Sequence, residues 1–100
     1  MIKGTTPTHV FTLPFDTGAV KTVQIIYAQN GAVKLTKGNK DCTLEGNKVS
    51  VKLTQEDTFL FTFGVRVDIQ VRVLTIGGDA LASRVTHVLC EDCLSDEVLQ

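Results

Sequence analysis

The chain has no tryptophan, one tyrosine, one methionine and two prolines among its 100 residues. Without tryptophan, and with a single tyrosine, it has few of the flat aromatic platforms on which sugar rings stack, which disfavours a carbohydrate-binding module. Charge of one sign is also missing, since ten Lys and Arg stand against eleven Asp and Glu. That balance argues against a broad nucleic-acid surface, which needs clustered cations, and against a polybasic membrane contact. No apolar run approaches the roughly 20 residues of a membrane-spanning helix. The start, Met1-Ile2-Lys3-Gly4-Thr5-Thr6-Pro7, lacks the apolar core of a signal peptide, so the chain is expected in the cytoplasm, at least at first. Three cysteines are an odd number, which fits a reducing compartment better than a disulfide framework.

The informative stretch is Val65-Arg66-Val67-Asp68-Ile69-Gln70-Val71-Arg72-Val73. Its odd positions are β-branched and apolar, and its even positions are charged or amide-bearing. A period of two means one dry and one wet face, hence a half-buried strand. Gly77-Gly78-Asp79 then turns the chain into a second strand pattern at about 80 to 89, where Leu81, Val85 and Leu89 are expected on one face. His87 alternates with Val85 and Leu89 and is expected toward the core or its rim.

Upstream, residues 8 to 13 read as an edge strand, bounded by Pro7 and Pro14. Residues 20 to 28 place Val23, Ile25 and Tyr27 on one face, with Ile26 breaking the alternation. Asn30-Gly31 predicts a tight hairpin into residues 33 to 37, with Val33 and Leu35 inward. Short strands follow at 41 to 45 and 48 to 53, the latter with Val49, Val51 and Leu53 inward. Thr54, followed by acidic residues, suits the start of one helical turn over 54 to 58. Phe59, Phe61 and Phe63 are then expected to add aromatic bulk to the core. About seven short strands at regular spacing predict an all-β fold, an immunoglobulin-like antiparallel β-sandwich, with a small barrel as the alternative. Residues 1–89 form that domain. Residues 90–100 form an acidic segment, read either as a flexible tail or as a short helix with Leu94, Val98 and Leu99 on one side.

Chemistry-bearing motifs are sparse. Cys90-x-x-Cys93 suits a redox pair or half a zinc site, and His87 adds a third ligand at like spacing. Cys42 or His9 completes that set only if the fold brings one near. The plainer reading is a small apolar Cys90 at a strand end and an incidental Cys93. No metal and no cofactor are assigned. No Ser-His-Asp set has a recognisable context, and Glu45, Glu56, Asp57 and Asp68 are accounted for by turns, caps and solvent faces. The chain is therefore read as non-enzymatic. Arg66, Asp68, Gln70 and Arg72 share the outer face of the long strand. They form either a solvated face with cross-strand ion pairs or a protein-contact face.

A resemblance adds to this. Residues 6–17 (TPTHVFTLPFDT), Ile26-Tyr27-Ala28-Gln29, Leu44-Glu45-Gly46-Asn47 and residues 51–58 (VKLTQEDT) resemble small phage and prophage proteins of Gram-positive bacteria. So do residues 70–75 (QVRVLT), 79–83 (DALAS) and 94–99 (LSDEVL). More distantly, the order of strand, Leu53-Thr54-Gln55-Glu56 corner, strand and Gly-Asp hairpin is similar to the N-terminal immunoglobulin-like domain of phage baseplate upper proteins. The resemblance implies a structural role in a tail or baseplate, with other tail or baseplate proteins or further copies as partners. It places the chain in the bacterial host cytoplasm during assembly and then in the virion. Baseplate upper proteins continue into further domains, whereas this sequence ends at Gln100, which fits an accessory tail component or a product outside the virion. The alternatives are a small domain held by zinc through His87, Cys90 and Cys93, and a carbohydrate-binding module.

Overall fold

A computed structural model describes residues 1–100. In chain order it contains β1 (Thr8–Thr12), β2 (Val20–Gln29), β3 (Ala32–Lys37), β4 (Cys42–Glu45), β5 (Lys48–Lys52), α1 (Gln55–Phe59), β6 (Arg66–Thr75), β7 (Ala80–Ala82) and β8 (Thr86–Leu89). One sheet has the order β1-β5-β4. The other runs β3-β2-β6, and both β7 and β8 lie along the far side of β6. All strand pairs are antiparallel. This is the division of an immunoglobulin-like sandwich, with B, E and D strands in one layer and C′, C, F and G in the other. A parallel bridge between Ile2 and Glu91 ties the N-terminal segment to the end of the last strand.

The inner faces follow the alternation read from sequence. Val23, Ile25 and Tyr27 of β2 and Val67, Ile69, Val71 and Val73 of β6 are buried against Val49 and Val51 of β5, with Leu53 and Phe61. Burying each such aliphatic side chain contributes about 1.5–3 kcal/mol. Asn30 (φ 50°) and Gly31 (φ 78°) take the left-handed conformations that a tight hairpin between β2 and β3 requires. Thr54 caps α1 as expected. Its Oγ accepts the Asp57 N–H at 3.1 Å, and the Asp57 carboxylate accepts the Thr54 N–H at 2.9 Å.

Several expectations are corrected, and two of the corrections share one cause. The predicted strand over 80 to 89 is two strands. Leu81 stands opposite Val73 on the inner face, but His87 stands opposite Asp68 and Leu89 opposite Arg66 on the outer face. The register moves by one residue between β7 and β8. At that point Ser83 N–H donates to the Val71 carbonyl (2.8 Å) and Ser83 Oγ accepts the Val71 N–H (3.0 Å), a hydroxyl in place of a ladder carbonyl. One extra residue turns every following side chain over. Leu81, Val85 and Leu89 therefore do not share a buried face, and His87 is exposed rather than directed at the core. A second shift, between Tyr27 and Ala28, keeps Leu35 opposite Tyr27 but sets Val33 opposite Ala28, where it is 62% exposed.

Of the three phenylalanines, Phe61 is buried, Phe59 is half-buried at the end of α1, and Phe63 is 60% exposed. They lie outside a strand, so alternation does not govern them. Residues 90–100 form no helix. The segment folds back onto α1, where the Gln55 amide donates to the Leu99 carbonyl (2.9 Å) and accepts its N–H (2.8 Å). Leu94 and Leu99 remain exposed.

Gln29 is the buried polar exception at the end of the inner face of β2. Its amide donates to the carbonyls of Thr62 (2.9 Å) and Val65 (3.0 Å) and accepts the Thr62 N–H (2.7 Å), so it holds the connection into β6. Gln29→Leu keeps the volume but leaves those groups without partners. The expected loss is about 2–4 kcal/mol of unfolding free energy, read from the urea midpoint.

Candidate functional site

The outer face of β6 carries Arg66, Asp68, Gln70 and Arg72, as the period-two reading places them. Each side chain has a neighbour to bond. Asp68 Oδ1 accepts from Arg66 Nε (2.9 Å) and from His87 Nδ1 (2.7 Å). Gln70 donates to the Ser83 carbonyl (3.0 Å), and Arg72 reaches Gln24 Oε1 at 3.4 Å. The hydrogen bond from His87, with the Arg66 guanidinium, holds the Asp68 carboxyl below its ordinary range. The face is thus a laced polar surface. Ile26 lies opposite Gln70 and Ala28 opposite Asp68, so apolar side chains sit among the polar ones.

The proposed metal ligands are separated. His87 is on the outer face beside Asp68, whereas Cys90, an odd number of positions further along extended chain, is buried in the core. Cys93 lies beyond, its N–H bound to Asp92 Oδ1 at 2.9 Å. Neither His9 nor Cys42 joins them, and no group of three or more His, Cys, Asp or Glu is placed to hold a metal ion. Burial pushes the thiols of Cys90 and Cys42 up, away from the thiolate that metal binding or redox exchange uses.

The edge formed by β1 is open. Leu53 N–H donates to the Pro7 carbonyl (2.9 Å) and Leu13 N–H to that of Asn47 (2.7 Å), and these bonds frame the ladder with β5. Between them the odd residues His9 and Phe11 point their backbone groups at β5. The N–H and C=O groups of Thr8, Val10 and Thr12 therefore point away from the sheet, and β1 has β5 as its one strand partner. The side chains of Thr8, Val10 and Thr12 are exposed on the outer face, Val10 by 54%. Beside Thr12 an apolar hollow of about 330 Å³ opens between the sheets, lined by Leu13, Pro14, Phe15, Val71 and Leu81 among others.

Between the layers lies a polar group that sequence reasoning missed. His9 Nδ1 is 2.7 Å from the Tyr27 hydroxyl. Burial, then the nearby Cys42 and Asp57, raise the phenol far above its ordinary range, so it stays protonated and shares one hydrogen bond with the imidazole. Lys37 Nζ meets Asp57 Oδ2 at 2.9 Å with both side chains mostly covered, which ties edge strand β3 to α1. Burial alone would raise the Asp57 carboxyl. The Thr54 N–H and the Lys37 ammonium outweigh it and hold the group below 3.8. The faint sequence signal was a Lys at an inward position opposite Ile25.

Burial, with the N-terminal ammonium, holds His9 below its ordinary 6.5. As pH falls below 6.5, the unfolded chain binds a proton that the folded chain resists, so stability is full above that value and declines below it. The melting temperature is expected to be flat between about pH 6.5 and about pH 8, to fall on acidification, and to fall again at alkaline pH, where the Cys42 and Cys90 thiols resist an ionisation that the unfolded chain undergoes. His9→Asn, whose amide oxygen can still accept from Tyr27, should flatten the first part of that fall. The contribution of Asp57 is lost only at lower pH, through its depressed carboxyl pKa.

No family model and no curated protein matches the chain. The V domain of amphioxus IgVJ-C2 is similar in structure, at 13% identity and a TM-score of 0.37, over 91% of this chain and 95% of that one. Nothing about ligands or partners transfers at that level of likeness.

Proposed function

We propose that the chain is a non-enzymatic component of a phage or prophage tail or baseplate that acts through protein contacts. The observation that carries the contact role is the free β1 edge, an extended row of unpaired backbone donors and acceptors bounded by Pro7 and Pro14. The phage source rests on the sequence resemblance, which runs from Thr6 to Leu99. The outer face of β6, with Arg66, Asp68, Gln70 and Arg72, offers a second surface, since arginine is enriched at interfaces. Partners are other tail or baseplate proteins or further copies of the chain, met in the host cytoplasm during assembly and retained in the particle.

Quantitative mass spectrometry of tail particles purified from a producing host should find the chain in fixed proportion to the major tail proteins. A chain missing both from particles and from tail intermediates sinks the reading.

A further inference from the structure

The four exposed sheet edges differ in how they are guarded. β3 carries Lys34 and Lys37 and a register shift; β4 ends in Glu45; the β7–β8 edge is broken by its own shift at Ser83 and carries Arg84 and His87. Charges and bulges of this kind are the usual protection against edge pairing. β1, Thr8-His9-Val10-Phe11-Thr12, has no Lys, Arg, Asp or Glu and no shift against β5. Its prolines stand outside the strand and limit its length without blocking it.

We infer that β1 pairs with β1 of a second copy of this chain, antiparallel about a two-fold axis at Val10. This deepens the contact role proposed above, naming the partner of that same edge. The outward groups belong to alternate residues, so the register is set. Val10 must face Val10 of the partner copy, and Thr8 must face its Thr12. Each facing pair exchanges two hydrogen bonds, about six in all, and the two sheets become one continuous layer. On the outer face this sets Val10 against Val10 and threonine against threonine, both favourable cross-strand pairs. Any other register sets strand residues beyond Pro7 or Pro14, where the free edge ends. The flanking lysines Lys48 and Lys52 lie on β5, so two further strand spacings separate them from their counterparts across the seam. A pair of five-residue strands is a small interface, so the dimer is a concentration-dependent one.

The test is sedimentation equilibrium of the full chain over about 1–200 µM, spanning the range of weak interfaces. The expected mass rises from 10.9 kDa toward twice that value with concentration. Val10→Pro removes an N–H that the β5 ladder does not use, and Val10→Lys sets two ammonium groups against each other at the axis. Both variants should stay monomeric throughout, with wild-type circular dichroism. Thr43→Lys, on the opposite edge strand β4, should dimerise as the wild type does. A wild type that remains monomeric at the highest concentration overturns the inference, as does a dimer that survives both Val10 substitutions. Recovery of the chain in tail particles while it is monomeric alone would sink self-pairing and leave the tail role standing. A Val10-dependent dimer never found in particles or tail intermediates would do the reverse.

Discussion

The pairing of β2 with β6 is the constraint on which the rest depends. These two ten-residue strands lie side by side from Ala28 opposite Asp68 to Val20 opposite Thr75, and they supply seven of the buried aliphatic and aromatic side chains. β6 also receives β7 and β8 on its other side, so it is the one strand whose register every neighbour in its sheet must respect. A slip of one residue would bring Arg66, Asp68, Gln70 and Arg72 into the core and expose Val67, Ile69, Val71 and Val73. No rearrangement of side chains could compensate for four buried polar groups. Register here is thus enforced by the difference between the two faces more than by any turn.

The same alternation explains what could be read in advance and what could not. Where strands pair without interruption, as along β5 and in most of β2 with β6, period two sorted inner from outer residues correctly. It failed just beyond two one-residue shifts. Val33 and His87 were both assigned inward by parity, and both lie past a position where an extra residue reverses parity. For the last strand the cause is Ser83, whose hydroxyl can stand in for a carbonyl. Nothing in the local sequence distinguishes that serine from one on a solvent face. The metal reading failed for a different reason: it rested on spacing alone, and three positions of extended chain put His87 and Cys90 on opposite faces in any register.

The candidate sites were legible to different degrees for a related reason. The β6 outer face and the β1 edge are properties of single strands, written in alternation and in the placement of Pro7 and Pro14. The set His9, Tyr27, Lys37 and Asp57 is a property of how two sheets and a helix stack. Strand periodicity puts His9 on one face with Phe11 and Lys37 on one face with Leu35, but it does not say what they meet. Each meets a partner that satisfies it: a phenol held protonated for the imidazole, a capping carboxylate for the ammonium. Asp57 illustrates the economy of this arrangement, since one carboxylate closes the helix cap and anchors the edge strand. These groups make the sandwich sensitive to pH, and burial holds the nearby Cys42 thiol toward its protonated form.

Edge protection links the fold to the proposed role. A small sandwich that merely had to remain soluble would need each edge blunted, and a single lysine within β1 would do so at little cost, since Thr8, Val10 and Thr12 already face solvent. The outer positions of β5, next to β1, do carry Lys48 and Lys52, so charge is tolerated on this very face. Its absence from the edge strand alone is therefore not imposed by folding. The prolines confine the opening to five residues. A strand that is open but bounded is what ordered assembly requires, and it is the feature of this molecule that the requirements of its own core do not explain.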